Sequence, residues 1–187
     1  PEQAPPGDTS WQDWYSYFPW EDWRDGAPAV LAQQIMPPLQ AWVNEAPNKA
    51  LRQSRQARVA INFGLTDQVW NEDLVLQRYE LLFEAGLVQE ATRRGIAARA
   101  QLPGRAMQHD HRRILATGIA RLRAKIKYRP VVFELMPPEF TLLQLQQTVE
   151  ALAGRGLHKQ NFRRLMEQQE LVEETGAMTV GAAGRPA

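Results

Sequence analysis

The side chains with the clearest chemical use lie close together near the C-terminal end of the sequence. Within one short run they combine basic and amide groups: Lys159, Asn161, Arg163 and Arg164. Lys and Arg suit the acceptor edge of guanine and the phosphate oxygens, and Asn suits adenine. All four fall in the first half of a predicted helix, the half that a recognition helix uses to reach bases. The run therefore predicts binding to double-stranded DNA, with Arg185 as a further contact to phosphate or to the minor groove.

The distribution of charge along the chain supports the same interpretation. The formal net charge is only +1, yet positions 105–165 hold twelve Lys and Arg against four Asp and Glu. By contrast, Arg24 is the only basic residue among the first forty. A concentrated positive charge suits a polyanion because contacts with phosphates release counterions. Two alternatives stay open: the stretch is a solvated basic face, or the helix docks onto an acidic protein partner.

The basic run belongs to a predicted helix-turn-helix. Thr141 and Gln144 form a capping-box pattern, in which each side chain satisfies a free amide at the start of a helix. That helix ends at Gly154, and a second helix begins near His158 with an apolar seam made of Phe162, Leu165 and Met166. The β-prone residues 131–136 and 171–175 predict a strand before the two helices and the first strand of a wing after them. We therefore expect a winged helix.

Upstream of this unit the pattern is mostly helical. Hydrophobic periodicity predicts long helices at 70–87 and 110–127. A helix that begins at residue 28 is expected to stop at residue 37, where two prolines follow each other. The short aromatic stretch 14–18 predicts a strand. The expected fold class is therefore α+β and mainly helical.

The composition excludes several classes of chemistry. The chain has no cysteine, so disulfides, thiolate metal sites and cysteine nucleophiles are ruled out, which suits a cytoplasmic protein. No apolar run approaches the roughly 20 residues of a membrane-spanning helix, so no membrane partner is expected. The triplet His109-Asp110-His111 suggests a metal site, but only His158 remains to complete one. We interpret the triplet as the start of a helix.

Several strings in the C-terminal part resemble one known family. They are Phe140-Thr141-Leu142, Leu145-Gln146, Val149-Glu150-Ala151, Gly154-Arg155, Leu157-His158-Lys159-Gln160-Asn161-Phe162-Arg163-Arg164, Glu173-Glu174-Thr175-Gly176 and Gly184-Arg185-Pro186-Ala187. These strings resemble the winged-helix domain of the Nudix-related transcriptional regulators, which are bacterial repressors of NAD-metabolism genes. Residues 110–115 and 121–128 resemble the last helix of that family's Nudix-like domain, and residues 18–23 resemble, less closely, one of its late strands.

The resemblance implies a domain organisation. Residues 1–127 would form the latter part of a Nudix-like α/β domain, with a helical insertion at about 44–105. Residues 128–187 would form a winged-helix DNA-binding domain whose wing is incomplete. Because the start of a Nudix domain is absent and the first residue is not Met, we expect this sequence to be a piece of a longer protein.

The resemblance also implies a function. In the family, the Nudix-like domain binds an ADP-ribose-type nucleotide, and this alters the grip of paired winged helices on operator DNA. The implied protein is a transcriptional regulator linked to NAD metabolism, which works as a homodimer with a nucleotide effector and without a cofactor in this chain. Its DNA contacts would be Lys159, Asn161, Arg163, Arg164 and Arg185, and its nucleotide-binding residues stay unassigned.

An enzymatic alternative rests on a second pattern. Residues 169–177 mimic the second half of a Nudix hydrolase box, whose carboxylates hold Mg²⁺ against a pyrophosphate. However, Gln169 replaces the arginine of the box, Asn161 an upstream glutamate and Arg155 a glycine. We therefore predict no catalytic and no metal-binding residues in this chain. The alternative function is a Nudix-type pyrophosphatase for nucleoside-diphosphate derivatives, with an accessory winged helix and a catalytic, Mg²⁺-dependent half outside this sequence.

Overall fold

The computed structural model describes residues 11–126, 131–169, 172, 173 and 175. The α-helices among these residues are α1 Met36–Asn44, α2 Lys49–Phe63, α3 Val75–Glu84, α4 Gln89–Arg93, α5 His111–Ile126, α6 Leu142–Ala153 and α7 Lys159–Gln169. Shorter elements are the 3-10 turns Trp14–Ser16, Pro19–Glu21 and Val131–Leu135 and the π-helical turn Leu31–Ile35. None of the helices in the described part of the chain is long and apolar enough to cross a membrane.

The strands predicted at 14–18 and 131–136 are wrong, because both segments form 3-10 turns. At the first turn, the Asp13 side chain accepts a hydrogen bond from the Tyr15 amide at 2.9 Å. This local bond uses a backbone group that a sheet would need, so turn chemistry overrides the β-propensity of the aromatic residues. The second segment has no partner strand in the described part of the chain, and an apolar run without a partner closes its hydrogen bonds locally.

The mainly helical part of the predicted fold class is confirmed, and its β part is not. The described residues contain no strand, and their one ladder contact is an isolated parallel bridge between Trp23 and Arg155. The α/β character of the upstream segment therefore stays a prediction. The predicted first strand of the wing lies mostly outside the described residues.

The helix boundaries follow local chemistry. The helix predicted at 110–127 is α5, whereas α3 begins at Val75 rather than near 71, because the Asn71 side chain closes a turn onto the Asp73 amide at 3.0 Å. The predicted stop at residue 37 is wrong. A π-helical turn leads directly into α1, and the prolines lie in the first turn of that helix, where no amide donor is needed.

Two apolar clusters hold the described residues together. The larger cluster joins α1, α2, α3 and α5 to the aromatic turns before α1, and Phe18, Trp20 and Tyr79 lie buried in it. Phe18 meets Trp20 and Tyr79 edge to face, with centroids 6.0 and 6.2 Å apart, so these aromatic residues serve the core. The smaller cluster joins α6, α7 and the 3-10 turn before them through Val132, Leu145, Phe162 and Met166.

The capping box predicted at the start of α6 is confirmed. The backbone amide of Gln144 donates to the Thr141 hydroxyl at 3.1 Å, and the backbone amide of Thr141 donates to the Gln144 side-chain oxygen at 2.8 Å. Two amides that would otherwise lack acceptors are thus satisfied. The box fixes where the first helix of the helix-turn-helix begins.

We expect Thr141→Ala to lower the free energy of unfolding by about 1 kcal/mol, because it removes the N-cap acceptor. Urea unfolding followed by far-UV circular dichroism measures this change. Thr141→Ser keeps the hydroxyl and should stay close to the native value. Thr148→Ala is the matched control, since Thr148 bonds back to the Gln144 carbonyl inside the same helix. Equal losses from Thr141→Ala and Thr148→Ala would contradict a specific capping role.

Candidate nucleic-acid interface

Helices α6 and α7 form the predicted helix-turn-helix, and apolar contacts fix one face of α7. Phe162 and Met166, only 5% and 8% exposed, pack with Leu145 of α6. Leu165 was expected in the same seam but is 45% exposed. With about 100° of rotation per residue, the seam passes between Phe162 and Met166 and leaves Leu165 at its edge.

The turn between the two helices is held by side chains of α6. One carboxylate oxygen of Glu150 accepts hydrogen bonds from the Leu157 amide at 2.8 Å and from the Gln146 side chain at 3.0 Å. Gln146 also donates to the Leu157 carbonyl at 3.0 Å. Both backbone groups of Leu157 are therefore bound to α6, which sets the angle at which α7 leaves the turn. Gln146 and Glu150 lie in the strings that carry the family resemblance, but no role in the turn is predicted for them, because their spacing of four is ordinary for a helix.

The predicted DNA contacts divide between two sides of α7. Asn161 and Arg164 are exposed on the side opposite the buried seam, whereas Lys159 is exposed and Arg163 half-buried along one flank. Arg185 lies outside the described residues. The structure thus places the four helical residues on two zones of the α7 surface, an outer face and a flank.

Sequence reasoning missed the exposed amides on the same helix. Gln160 and Gln168 are exposed on the outer face with Arg164. A glutamine side chain can bond adenine through both its donor and its acceptor. Helical spacing counted from Phe162 would have placed these residues outward, so the periodicity of the seam was the available signal.

The basic surface is smaller than the charge count along the sequence suggested. Arg112 and Arg123 are both 2% exposed and pair with Glu90 and Glu21. Burial lowers the pKa of the Arg112 guanidinium, and the Glu90 carboxylate opposes that shift. These two cations serve the interior and cannot contact phosphate, so the positive charge of α7 is the more direct basis for a DNA surface.

The C-terminal end of α6 is bound by the upstream part of the chain. The Tyr15 hydroxyl donates to the Ala151 carbonyl at 2.7 Å, and Arg123 Nε donates to the Leu152 carbonyl at 3.3 Å. The Trp23 amide donates to the Gly154 carbonyl at 2.7 Å. Three carbonyls at the end of a helix, which would otherwise need solvent or a cap, thus have upstream donors.

The segment that carries Trp23 is itself tied locally. Arg24 donates two hydrogen bonds to the Asp22 carboxylate, at 2.8 and 2.7 Å, and this contact holds the pKa of the Asp22 carboxyl below its usual value. We call the contact between residues 15–24 and the end of α6 the junction. On its other side, the Arg155 guanidinium lies 3.6 Å from the Glu72 carboxylate. Ion pairs therefore flank the backbone contact between Trp23 and the turn.

Gly154 allows the close approach of these groups. Its φ of +71° suits glycine, and it ends α6. A Cβ at this position would overlap the Arg123 guanidinium and lie 2.6 Å from the Glu21 carbonyl oxygen. The turn of the helix-turn-helix is thus packed against the upstream residues with no room for a side chain.

In the described part of the chain, the weaker sequence signals give no second site. Helix α5 begins at His111, in agreement with our interpretation of the histidine triplet. Within the described residues, no group of three His, Asp or Glu side chains could hold a metal ion. The stretch resembling a hydrolase box begins at Gln169, the last residue of α7, and lies mostly outside those residues.

Comparison with known proteins identifies the segment that contains α6 and α7. Residues 132–187 match the NrtR DNA-binding winged helix domain. The chain is also 42% identical over 78 residues to a protein of Acinetobacter baylyi described as an ADPR responsive transcriptional repressor, NtrR. That match covers 42% of this chain and spans 31% of the length of the relative. The resemblance to the Nudix-related regulators is therefore confirmed for the winged-helix segment.

We expect Gly154→Ala to lower the free energy of unfolding by about 2–4 kcal/mol, because the new methyl group meets both a strained backbone and occupied space. The matched control is Gly118→Ala in α5, where an added Cβ meets nothing within 4 Å. That control should raise stability by about 0.5–1 kcal/mol, as is usual for glycine in a helix. Thermal unfolding of both variants measures the difference, and a Gly154→Ala protein as stable as the native one would refute the packed junction.

Proposed function

We propose that this chain acts in a DNA-binding transcriptional regulator that responds to an ADP-ribose-type nucleotide and controls genes of NAD metabolism. The observation that carries the proposal is the match of residues 132–187 to a DNA-binding winged helix domain, over the segment that holds α6 and α7. The description of the Acinetobacter relative as a transcriptional repressor supports regulation over hydrolysis. As a regulator of bacterial genes, the protein would work in the cytoplasm.

The proposed organisation has two parts. Residues 1–127 form the latter part of a Nudix-like, nucleotide-sensing domain with a helical insertion at about 44–105, and residues 128–187 form the winged helix. The two apolar clusters support this division, because one lies upstream and the other joins α6 and α7. The hydrogen bonds at the end of α6 then form the contact between the two parts.

The proposed DNA contacts follow the two zones of α7. Asn161 and Arg164, on the outer face, reach base edges in the major groove, and Lys159 and Arg163, on the flank, contact phosphates. Arg185 adds a contact from the wing. This division is supported by the burial of Phe162, which turns the outer face away from the protein.

The proposed working unit is a homodimer. One recognition helix reads only a few base pairs, and paired half-sites one helical turn apart extend the sequence that is read. Two copies also double the number of phosphate contacts, which strengthens binding. The nucleotide effector would act by changing how the paired helices fit the two half-sites.

DNA binding is tested by fluorescence anisotropy with duplex DNA across a salt series. We expect the affinity of the native chain to fall steeply with salt. Arg163→Ala/Arg164→Ala should weaken binding by about 10- to 100-fold and reduce the salt slope by about one, because one phosphate contact and one base contact are lost. The matched control is Lys49→Ala/Arg52→Ala, which removes two exposed positive charges from α2. Helix α2 packs against α1 and α3, in the upstream cluster.

Three outcomes separate the possibilities. Equal losses in the two double variants would mean that general charge, and not α7, attracts the DNA. If Arg163→Ala/Arg164→Ala lost affinity for an acidic protein partner and kept its DNA affinity, the protein-docking alternative would be favoured. A native chain that ignores DNA at low salt, both alone and with the wing extended, would refute the regulator and leave the pyrophosphatase.

The effector is tested with ADP-ribose in the same assay. We expect saturating ADP-ribose to change DNA affinity by about 5- to 150-fold, the usual range of coupling between two sites, and ADP, which lacks the terminal ribose, to change it much less. Because coupling is reciprocal, duplex DNA should change the affinity for ADP-ribose by the same factor, which calorimetry measures. Calorimetric binding of ADP-ribose without any change in DNA affinity would refute the coupling and leave DNA binding intact.

A further inference from the structure

Arg123 of α5 has an acceptor for each of its five guanidinium donors. Within the upstream part, it donates to the Glu21 carboxylate at 2.9 Å, the Glu21 carbonyl at 3.1 Å, the Glu72 carbonyl at 3.1 Å and the Tyr15 hydroxyl at 3.3 Å. The fifth donor, Nε, binds the Leu152 carbonyl in the last turn of α6. A guanidinium has no further donor to offer. The set is therefore complete only while α6 is docked.

The charges at this point also favour the docking of α6. Glu21 is the one carboxylate between two buried guanidinium groups, since Arg78 donates to it at 2.6 and 2.8 Å and Arg123 at 2.9 Å. All three side chains are at most 1% exposed. Among these three side chains positive charge exceeds negative charge by one, and buried charge is costly unless it is paired. Arg123 also interacts with the Asp22 carboxylate, and the partial negative charge at the C-terminal end of α6 adds to this compensation.

Tyr15 links the same two parts through a single hydroxyl. It accepts from Arg123 and donates to the Ala151 carbonyl at 2.7 Å. Separating α6 from the upstream part would leave the Tyr15 O–H and Arg123 Nε without their acceptors, and each unsatisfied buried donor costs stability. The docked arrangement is therefore held by directional bonds as well as by packing.

We infer that Arg123 and Tyr15 are positioning residues for α7: they fix the orientation of the helix-turn-helix relative to the upstream part by binding the end of α6. The inference goes beyond the DNA contacts and, in its effect on DNA binding, rests on the proposed function. A shift of the segment 15–24 on the upstream side would move α6, and α7 would follow because Glu150 and Gln146 hold the turn.

The orientation is measured without DNA by the distance between two spin labels. The chain has no cysteine, so Gln53→Cys on α2 and Glu167→Cys on α7 give single, exposed attachment points. Labelled chains are diluted into an excess of unlabelled chain, so that only distances within one chain are recorded. The native background should give one narrow distance distribution.

Arg123→Met removes the cation and all five donors, and the neutral Glu21–Arg78 pair remains. We expect the distance distribution to shift or broaden in this variant while the helix content measured by circular dichroism is retained. The matched control is Arg121→Met, since Arg121 is exposed on the same helix and makes no ion pair with any described residue. A folded Arg123→Met protein with the native narrow distribution would overturn the inference.

Tyr15→Phe keeps the inference testable if Arg123→Met fails to fold. It deletes one hydroxyl and keeps the ring, so it removes the bond to Ala151 and leaves the apolar packing in place. We expect a broader distribution here too. An unchanged distribution in Tyr15→Phe would remove Tyr15 from the positioning role and, where Arg123→Met does not fold, would overturn the inference as a whole.

DNA binding supplies a second test, because a purely structural role of Arg123 would not change the affinity for one duplex selectively. Affinity for a duplex selected by the native chain should fall about tenfold in Arg123→Met, the equivalent of one lost hydrogen bond, while affinity for an unrelated duplex stays unchanged because α7 keeps its own side chains. Equal losses on both duplexes would overturn positioning. If the native chain binds no duplex, the proposed function fails, and the spin-label distances still decide whether Arg123 orients α7.

Discussion

The fold depends on one buried carboxylate. Glu21 lies between Arg78 of α3 and Arg123 of α5, and the three side chains join segments that are 57 and 102 positions apart in the sequence. The guanidinium of Arg78 also lies 3.8 Å from the centre of the Trp70 ring, so it is enclosed by an aromatic face as well as by oxygens. Removing the carboxylate would leave two cations inside the protein. A single acidic residue thus explains why α3, α5 and the aromatic turns must lie together, and why the end of α6 completes the arrangement.

Local signals were sufficient for the elements that carry the candidate site. The Thr141–Gln144 capping box and the glycine at 154 set the two ends of α6, and each of them acts on residues only a few positions away. Helix α5 was predicted almost to its ends for the same reason, since its apolar repeat and the proline after it need no distant partner. The strand predicted at 14–18 was wrong because aromatic residues favour strands and buried turns alike, and the hydrogen bond from the Tyr15 amide to Asp13 favours the turn.

The groups that connect the two parts could not be predicted in this way. An arginine in an amphipathic helix is ordinarily exposed, so Arg112 and Arg123 were counted as members of a basic surface. Their burial depends on Glu90 and Glu21, which lie 22 and 102 positions away. No periodicity within a single helix contains that information. The charge count was therefore correct as a sum and misleading as a description of the surface.

The distribution of charge on α7 and the junction at α6 are physically related. With Arg112 and Arg123 buried, the proposed DNA surface has three cations on the helix, Lys159, Arg163 and Arg164, so attraction to phosphate alone is modest. Selective binding must then come from how well the outer face fits base edges, and a fit of that kind depends on the angle of the helix. The Leu157 amide donates to Glu150 and Arg123 Nε donates to the Leu152 carbonyl, and these two hydrogen bonds fix that angle at two points along the chain. Arg112 and Arg123 therefore add no positive charge to the surface, and both stabilise the core. Arg123 also contributes to the orientation of the helix on which selectivity depends.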